Sequence, residues 1–216
     1  MKHVLCFGDS NTYGLKPEWI KGDFGRHDEN TRWPGKMRNL LGDEYRVIEE
    51  GQCGRTTVFE DPTFPMKSGI NYLRPCIESH TPLDLIIIML GTNDTKGMFN
   101  ASAAEISAGL GRLITTAKDP SVYMGGPVPQ VLVAVPVPLG EVATTLPDGI
   151  TTMEMVEKSR ALAARYENTA KMHGCEFIDL GKVAETAPFE GVHITAEGHA
   201  KIAEAMAAKV REILGS

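Results

Sequence analysis

The run "LDLIIIMLG", residues 83–91, constrains this chain more than any other stretch. From Leu85 to Leu90 it offers no polar face, so the segment must be covered on both sides. Six apolar residues are far short of the roughly 20 that span a bilayer as a helix. Three consecutive isoleucines favour an extended backbone. A short apolar run covered on both faces is the signature of a central strand in a parallel sheet flanked by helices. "QVLVAVPVP" at 130–138 reads the same way, and "HVLCFG" (3–8), "YRVIEEG" (45–51) and "CEFIDLG" (175–181) complete a set of five strand candidates.

Helical periodicity fills the intervals. Ile106, Leu110, Leu113 and Ile114 recur at helical spacing over 103–118, as do Met155, Val156, Leu162, Ala163 and Tyr166 over 152–173. Thr195 is placed to cap a last helix with the stripe Ile202, Met206, Val210 and Ile213. Weaker patterns cover 33–41 and 70–79, the second interrupted by Pro75. Strands alternating with helices imply right-handed crossover units and a three-layer α/β/α domain. A length of 216 residues suits one domain, 1–216, able to bury roughly 70% of its unfolded surface without a metal or disulfide staple.

Charge and cysteine usage narrow the function classes. A net charge of −6 with no basic run argues against a nucleic-acid partner. No stretch reads as a membrane span, and the N-terminus "MKHVLCFG" lacks the long apolar region and cleavage site of a signal peptide. Cys6, Cys53, Cys76 and Cys175 are widely spaced, with no C-x-x-C and no zinc pattern. The expectation is a cytoplasmic protein without a metal.

In open parallel sheets, ligands bind beyond the C-terminal strand ends, so those ends hold the candidate chemistry. Strand one runs into "FGDSNTYG" with Ser10 just after the turn; Thr12 stands where a G-x-S-x-G elbow would carry its second glycine. Strand two runs into "EEGQCGRTT", where Gly51 and Gly54 are loop glycines or points of close backbone approach. Strand three runs into "MLGTNDTKG", with Asn93 either a turn former or a donor into the crevice. After strand five, "PFEGVHIT" places Glu190 three residues before His193. Each feature alone has an ordinary structural explanation. Together they supply a nucleophile, a base, a group to orient the base and donors for an oxyanion, which is the equipment of acyl transfer. Three long polar connections, 15–32, 56–69 and 139–151, are of a length that is usually functional in a compact domain.

These four blocks, in this order, resemble the SGNH hydrolases, or GDSL esterases. The resemblance covers essentially the whole chain and is most similar to the bacterial arylesterase and acyltransferase branch. It implies a flavodoxin-like sheet of five parallel strands and a catalytic triad of Ser10, His193 and Glu190. It also implies an oxyanion hole from the Ser10 and Gly54 N–H groups and the Asn93 amide, with no cofactor. Members of that branch are often homo-oligomers, octamers among them, so a homo-oligomer is expected here. The chain departs from the family in two places. Asn11 replaces the usual leucine after the serine, and Glu190 replaces the usual aspartate, one methylene shorter. A serine–histidine dyad with a backbone carbonyl orienting the imidazole is the alternative. Trp19 and Phe24 in the first long loop, with Trp33 beside it, are candidates for an acyl or aromatic pocket; packing or subunit contact is the competing reading. The implied activity is hydrolysis of short acyl and aryl esters, with acyl transfer to alcohols or peroxide as a side reaction. A carbohydrate acetyl esterase and a non-catalytic binding module are the rivals.

Overall fold

A computed structural model describes residues 1–215. Five parallel strands form one sheet: β1 (Lys2–Gly8), β2 (Tyr45–Gly51), β3 (Leu85–Met89), β4 (Gln130–Val135) and β5 (Glu176–Asp179), in the order β2-β1-β3-β4-β5. The longer helices are α2 (Trp33–Leu41), α3 (Gly69–His80), α4 (Ala103–Ala117), α5 (Met153–Met172) and α6 (Ala196–Leu214); a single turn, α1 (Ser10–Tyr13), follows β1. This is the expected flavodoxin-like order.

Strand alternation sorts the core into two layers. Val4 and Cys6 of β1 join Leu85, Ile87 and Met89 of β3 under α2 and α6, packed with Met37, Ile202, Met206 and Val210. Leu5 and Phe7 join Ile86 and Ile88 on the other face, against Leu73, Ile77, Leu110, Leu113, Leu162 and Tyr166 of α3, α4 and α5. All five β3 residues are buried, as a run without a polar face requires.

Helix α3 passes through Pro75 without stopping. Pro75 has no N–H to bond the Asn71 carbonyl, and both residues are exposed, so the lost bond falls on the solvent side of the helix. Leu73, Cys76 and Ile77 hold the buried face meanwhile. Trp33 departs further from expectation. It opens α2 and is fully buried among Met37 and the sheet residues of the α2/α6 layer, so it is a core residue and walls no pocket. Pro34 behind it suits the first turn of a helix, where its missing N–H costs nothing.

Register brings the site together. Gly8 lies level with Gly51 on one side and Met89 on the other. The loops that follow these three strands therefore leave the sheet at one edge. That edge contains β1, where the strand order reverses and a crevice must open.

Candidate active site

Ser10 is the first residue of α1, with Asp9 as its cap: the Asp9 carboxylate accepts the Asn11 N–H at 2.9 Å. As first helical residue, Ser10 has an N–H without an intrahelical acceptor. Its Oγ lies 3.0 Å from His193 Nε2. On the far side of the ring, His193 Nδ1 lies 2.7 Å from Glu190 Oε1. A carboxylate can only accept, so Nδ1 carries the proton and Nε2 is left to accept from the serine.

The extra methylene of Glu190 is absorbed by its own turn. Oε2 curls back to accept the Val192 N–H at 2.8 Å and the His193 N–H at 2.6 Å, leaving Oε1 facing the ring. Gly191 sits at φ +81°, which lets the chain reverse tightly enough for this. Burial alone would raise the Glu190 carboxyl, but the bonds from His193 and Trp19 outweigh it and hold the group below the usual range. The histidine has a side-chain carboxylate on Nδ1, so the dyad oriented by a backbone carbonyl is not the arrangement here.

The candidate oxyanion donors converge on the same place. Gly54 lies at φ +82°, and its N–H has no hydrogen-bond partner among the described residues. Positive φ explains glycine there. Gly51 is glycine for a different reason, since a Cβ would lie 2.2 Å from the Tyr13 nitrogen. Asn93 donates through Nδ2 to the Arg55 carbonyl at 3.1 Å, which fixes the amide orientation and leaves its second N–H free. Ser10, Gly54, Asn93, Glu190 and His193 all line one cleft of about 440 Å³.

All three long connections contribute to that cleft. Trp19 and Phe24 come from the first, Asp61, Phe64 and Lys67 from the second, and Leu146 and Ile150 from the third. Two of the connections contain short 3-10 segments, Pro17–Lys21 and Glu141–Thr145. Trp19 is half-buried and Phe24 stands 75% exposed at the mouth. A separate depression of about 480 Å³, lined by Lys182, Glu185, Glu197 and Lys201, holds none of the site residues, and we assign no chemistry to it.

Residues 6–201 match the GDSL-like lipase/acylhydrolase family. The chain belongs to this family. Est24, a carbohydrate acetylesterase from Sinorhizobium meliloti, is similar at 38% identity, with 98% of this chain and 99% of that chain covered and a TM-score of 0.93. The aryl esterase of M. smegmatis is similar at 36% identity, with 99% and 100% covered and a TM-score of 0.89. A carbohydrate acetylesterase family member from Sinorhizobium meliloti shares 35% identity over 100% of both chains, with a TM-score of 0.91. The comparison with curated proteins gives no match.

Several supports of this GDSL-like site lie outside the sequence-level candidates. Asn11, at the position where the family usually has leucine, donates to the Val192 carbonyl at 3.2 Å and ties α1 to the histidine turn. Buried Arg55 donates to the Gly8 carbonyl at 2.8 Å and to the Glu50 carbonyl, with its guanidinium 4.3 Å from the Phe7 ring centre. It thereby staples the ends of β1 and β2 under the Gly54 loop. Asp94, beside Asn93, accepts the Thr57 N–H at 2.9 Å and the Thr57 hydroxyl, linking the second and third blocks. Burial pushes its carboxyl up to about 6.

Among the described residues, one cluster has metal-ligand composition: Glu50, Cys76 and His80. Two of its members are already partnered to each other. His80 Nε2 and Glu50 Oε1 meet at 2.8 Å, and Arg55 supplies positive charge nearby. Burial and the Glu50 charge push the Cys76 thiol up to about 12, the wrong direction for a ready ligand.

Proposed function

We propose that this acylhydrolase is a serine carboxylic ester hydrolase with Ser10 as nucleophile, His193 as general base and acid, and Glu190 as the carboxylate that orients the imidazole. The observation that carries this reading is the chain of contacts from Ser10 Oγ through His193 to Glu190 on the floor of the cleft. Ser10 Oγ attacks the ester carbonyl and passes its proton to His193 Nε2. The carbonyl oxygen becomes an oxyanion facing the N–H groups of Ser10 and Gly54 and the free N–H of Asn93. On collapse the C–O bond to the leaving alcohol breaks and His193 returns the proton to that oxygen. Water, activated by His193, then splits the acyl-enzyme; a bound alcohol or peroxide in the same position receives the acyl group instead.

Asn93→Ala tests the oxyanion assignment. One such donor contributes about 3–4 kcal/mol, so kcat should fall by roughly 10²–10³. A change below about threefold would remove Asn93 from the oxyanion hole.

The substrate class we infer is short acyl groups, acetyl foremost, on activated or aryl alcohols. Apolar side chains, among them Trp19, Phe24, Phe64, Leu146 and Ile150, dominate the cleft wall. The polar side chains Asp61, Lys67, Lys96 and Asp148 that also line the cleft, with the likeness to two carbohydrate acetylesterases, favour acetylated sugars as a second reading. Turnover of p-nitrophenyl acetate, p-nitrophenyl octanoate and acetylated xylose separates these. Rates should fall from acetate to octanoate; rates rising with chain length contradict the short-acyl assignment, and faster turnover of acetylated xylose selects the sugar reading.

Exposed Phe24, Phe64 and Ile150 at the cleft mouth support a homo-oligomer that covers them, a state light scattering reads directly. Cys6, Cys53, Cys76 and Cys175 are all unpaired, which supports the cytoplasmic assignment. Among the described residues, no helix is long and apolar enough to cross a membrane.

A further inference from the structure

Glu190 Oε1 accepts a second donor besides His193. The indole Nε1–H of Trp19 reaches the same oxygen at 2.7 Å. The carboxylate is fully buried and now fully subscribed: two backbone N–H groups on Oε2, an imidazole and an indole on Oε1. Trp19 belongs to the 3-10 segment Pro17–Lys21 of the first long loop. Its ring meets His193 edge-on, with ring centres 6.5 Å apart and planes at 87°. The same segment has a second attachment to the histidine turn, where Lys21 Nζ lies 4.5 Å from the centre of the Phe189 ring. Trp19 is also a wall of the substrate cleft.

A glutamate has one more side-chain torsion than the aspartate usual in this family, so aiming its oxygen at the imidazole needs one more constraint. The backbone N–H groups fix Oε2, and only Trp19 and His193 bear on Oε1. We propose that Trp19 is a positioning residue whose indole N–H holds the Glu190 carboxylate in line with His193, so that seating of the 15–32 loop sets the reactivity of the triad. This rests on the reading of Ser10, His193 and Glu190 as a triad. Trp19 both lines the substrate cleft and bonds the carboxylate, so one side chain links the cleft wall to the triad.

Trp19→Phe keeps an aromatic wall and deletes the donor. A hydrogen bond to a charged group is worth enough for about a tenfold loss in kcat, with KM for p-nitrophenyl acetate within about twofold. The acid limb of the kcat/KM profile should move to higher pH. Without the indole N–H, Oε1 presents more negative charge to the ring and favours the imidazolium, so more base is needed to generate the active form. In a Glu190→Gln background the same substitution should cost no further activity, because the carboxylate it serves has gone. Thermal melts of each variant confirm that folded protein is being compared.

The outcomes separate cleanly. A raised KM with unchanged kcat and an unmoved acid limb makes Trp19 a pocket wall only and overturns the proposal. Additive losses in the double variant overturn it as well, since Trp19 would then act elsewhere. Near wild-type activity in Glu190→Gln alone overturns the triad reading itself, whatever Trp19→Phe does. A Trp19→Phe protein that does not fold is replaced by Trp19→Leu at matched melting temperature, where full kcat and an unmoved acid limb overturn the proposal in the same way.

Discussion

Glu190→Gln lowers kcat by up to about 10⁴ while leaving the fold intact, by analogy with the amide substitution in serine proteases. The hydrogen bonds around the carboxylate explain why so small a change is so damaging. Val192 and His193 N–H both point at the Oε2 position, so the single oxygen of the glutamine must sit there. Its NH₂ is then forced to the Oε1 position, facing the Trp19 N–H and His193 Nδ1. An NH₂ there can only donate, so Nδ1 becomes the acceptor and the ring proton moves to Nε2, which now faces Ser10 with nothing to accept the hydroxyl proton. Flipping the amide would set NH₂ against two backbone donors instead. Steady-state kinetics on p-nitrophenyl acetate measure the loss; an activity within a few-fold of wild type would show that His193 works without the carboxylate.

Much of this site is legible in the sequence because its primary groups stand in short blocks at strand ends. "FGDSNTYG", "GQCGRTT", "GTNDT" and "EGVHIT" each carry one or two reacting or orienting residues within a few positions of a strand or helix boundary. Once the alternation of strands and helices implies a parallel sheet, those boundaries fall on one edge, and the Gly8, Gly51 and Met89 register brings them level. What stays hidden is the second layer of contacts. Trp19 and Glu190 are 171 positions apart, Asn11 and Val192 are 181 apart, and neither pair lies in a local pattern.

Arg55 is hidden for another reason. An arginine after a loop glycine ordinarily reads as a solvated charge, whereas its bonds to the Gly8 and Glu50 carbonyls and its stacking on Phe7 make it structural. Trp33 misleads in the opposite sense. Beside a long polar loop it resembles a pocket wall, whereas its place at the head of α2 sends it into the core. The three long loops, by contrast, do converge over the cleft as their length suggests. Pro75 shows the limit of a local rule: packing of Leu73, Cys76 and Ile77 outweighs one lost hydrogen bond at an exposed turn.

The largest loss belongs to Ser10→Ala. In the proposed mechanism the hydroxyl oxygen becomes the ester oxygen of the acyl-enzyme, and among the described residues no other hydroxyl or thiol is hydrogen-bonded to His193 Nε2. Cys53 also lines the cleft, but it makes no hydrogen bond to His193 and burial raises its thiol. The oxyanion donors remain in the variant, so the residual rate exceeds that in water, yet kcat should drop by on the order of 10⁵–10⁶.

Hydrolysis of p-nitrophenyl acetate by the wild type and Ser10→Ala, at equal concentrations of folded protein, therefore decides whether Ser10 is the nucleophile. Rapid turnover by the wild type and a rate near background in the variant is the expected result. Sustained turnover by Ser10→Ala would contradict it, because the bond-forming atom would have to lie elsewhere in the cleft.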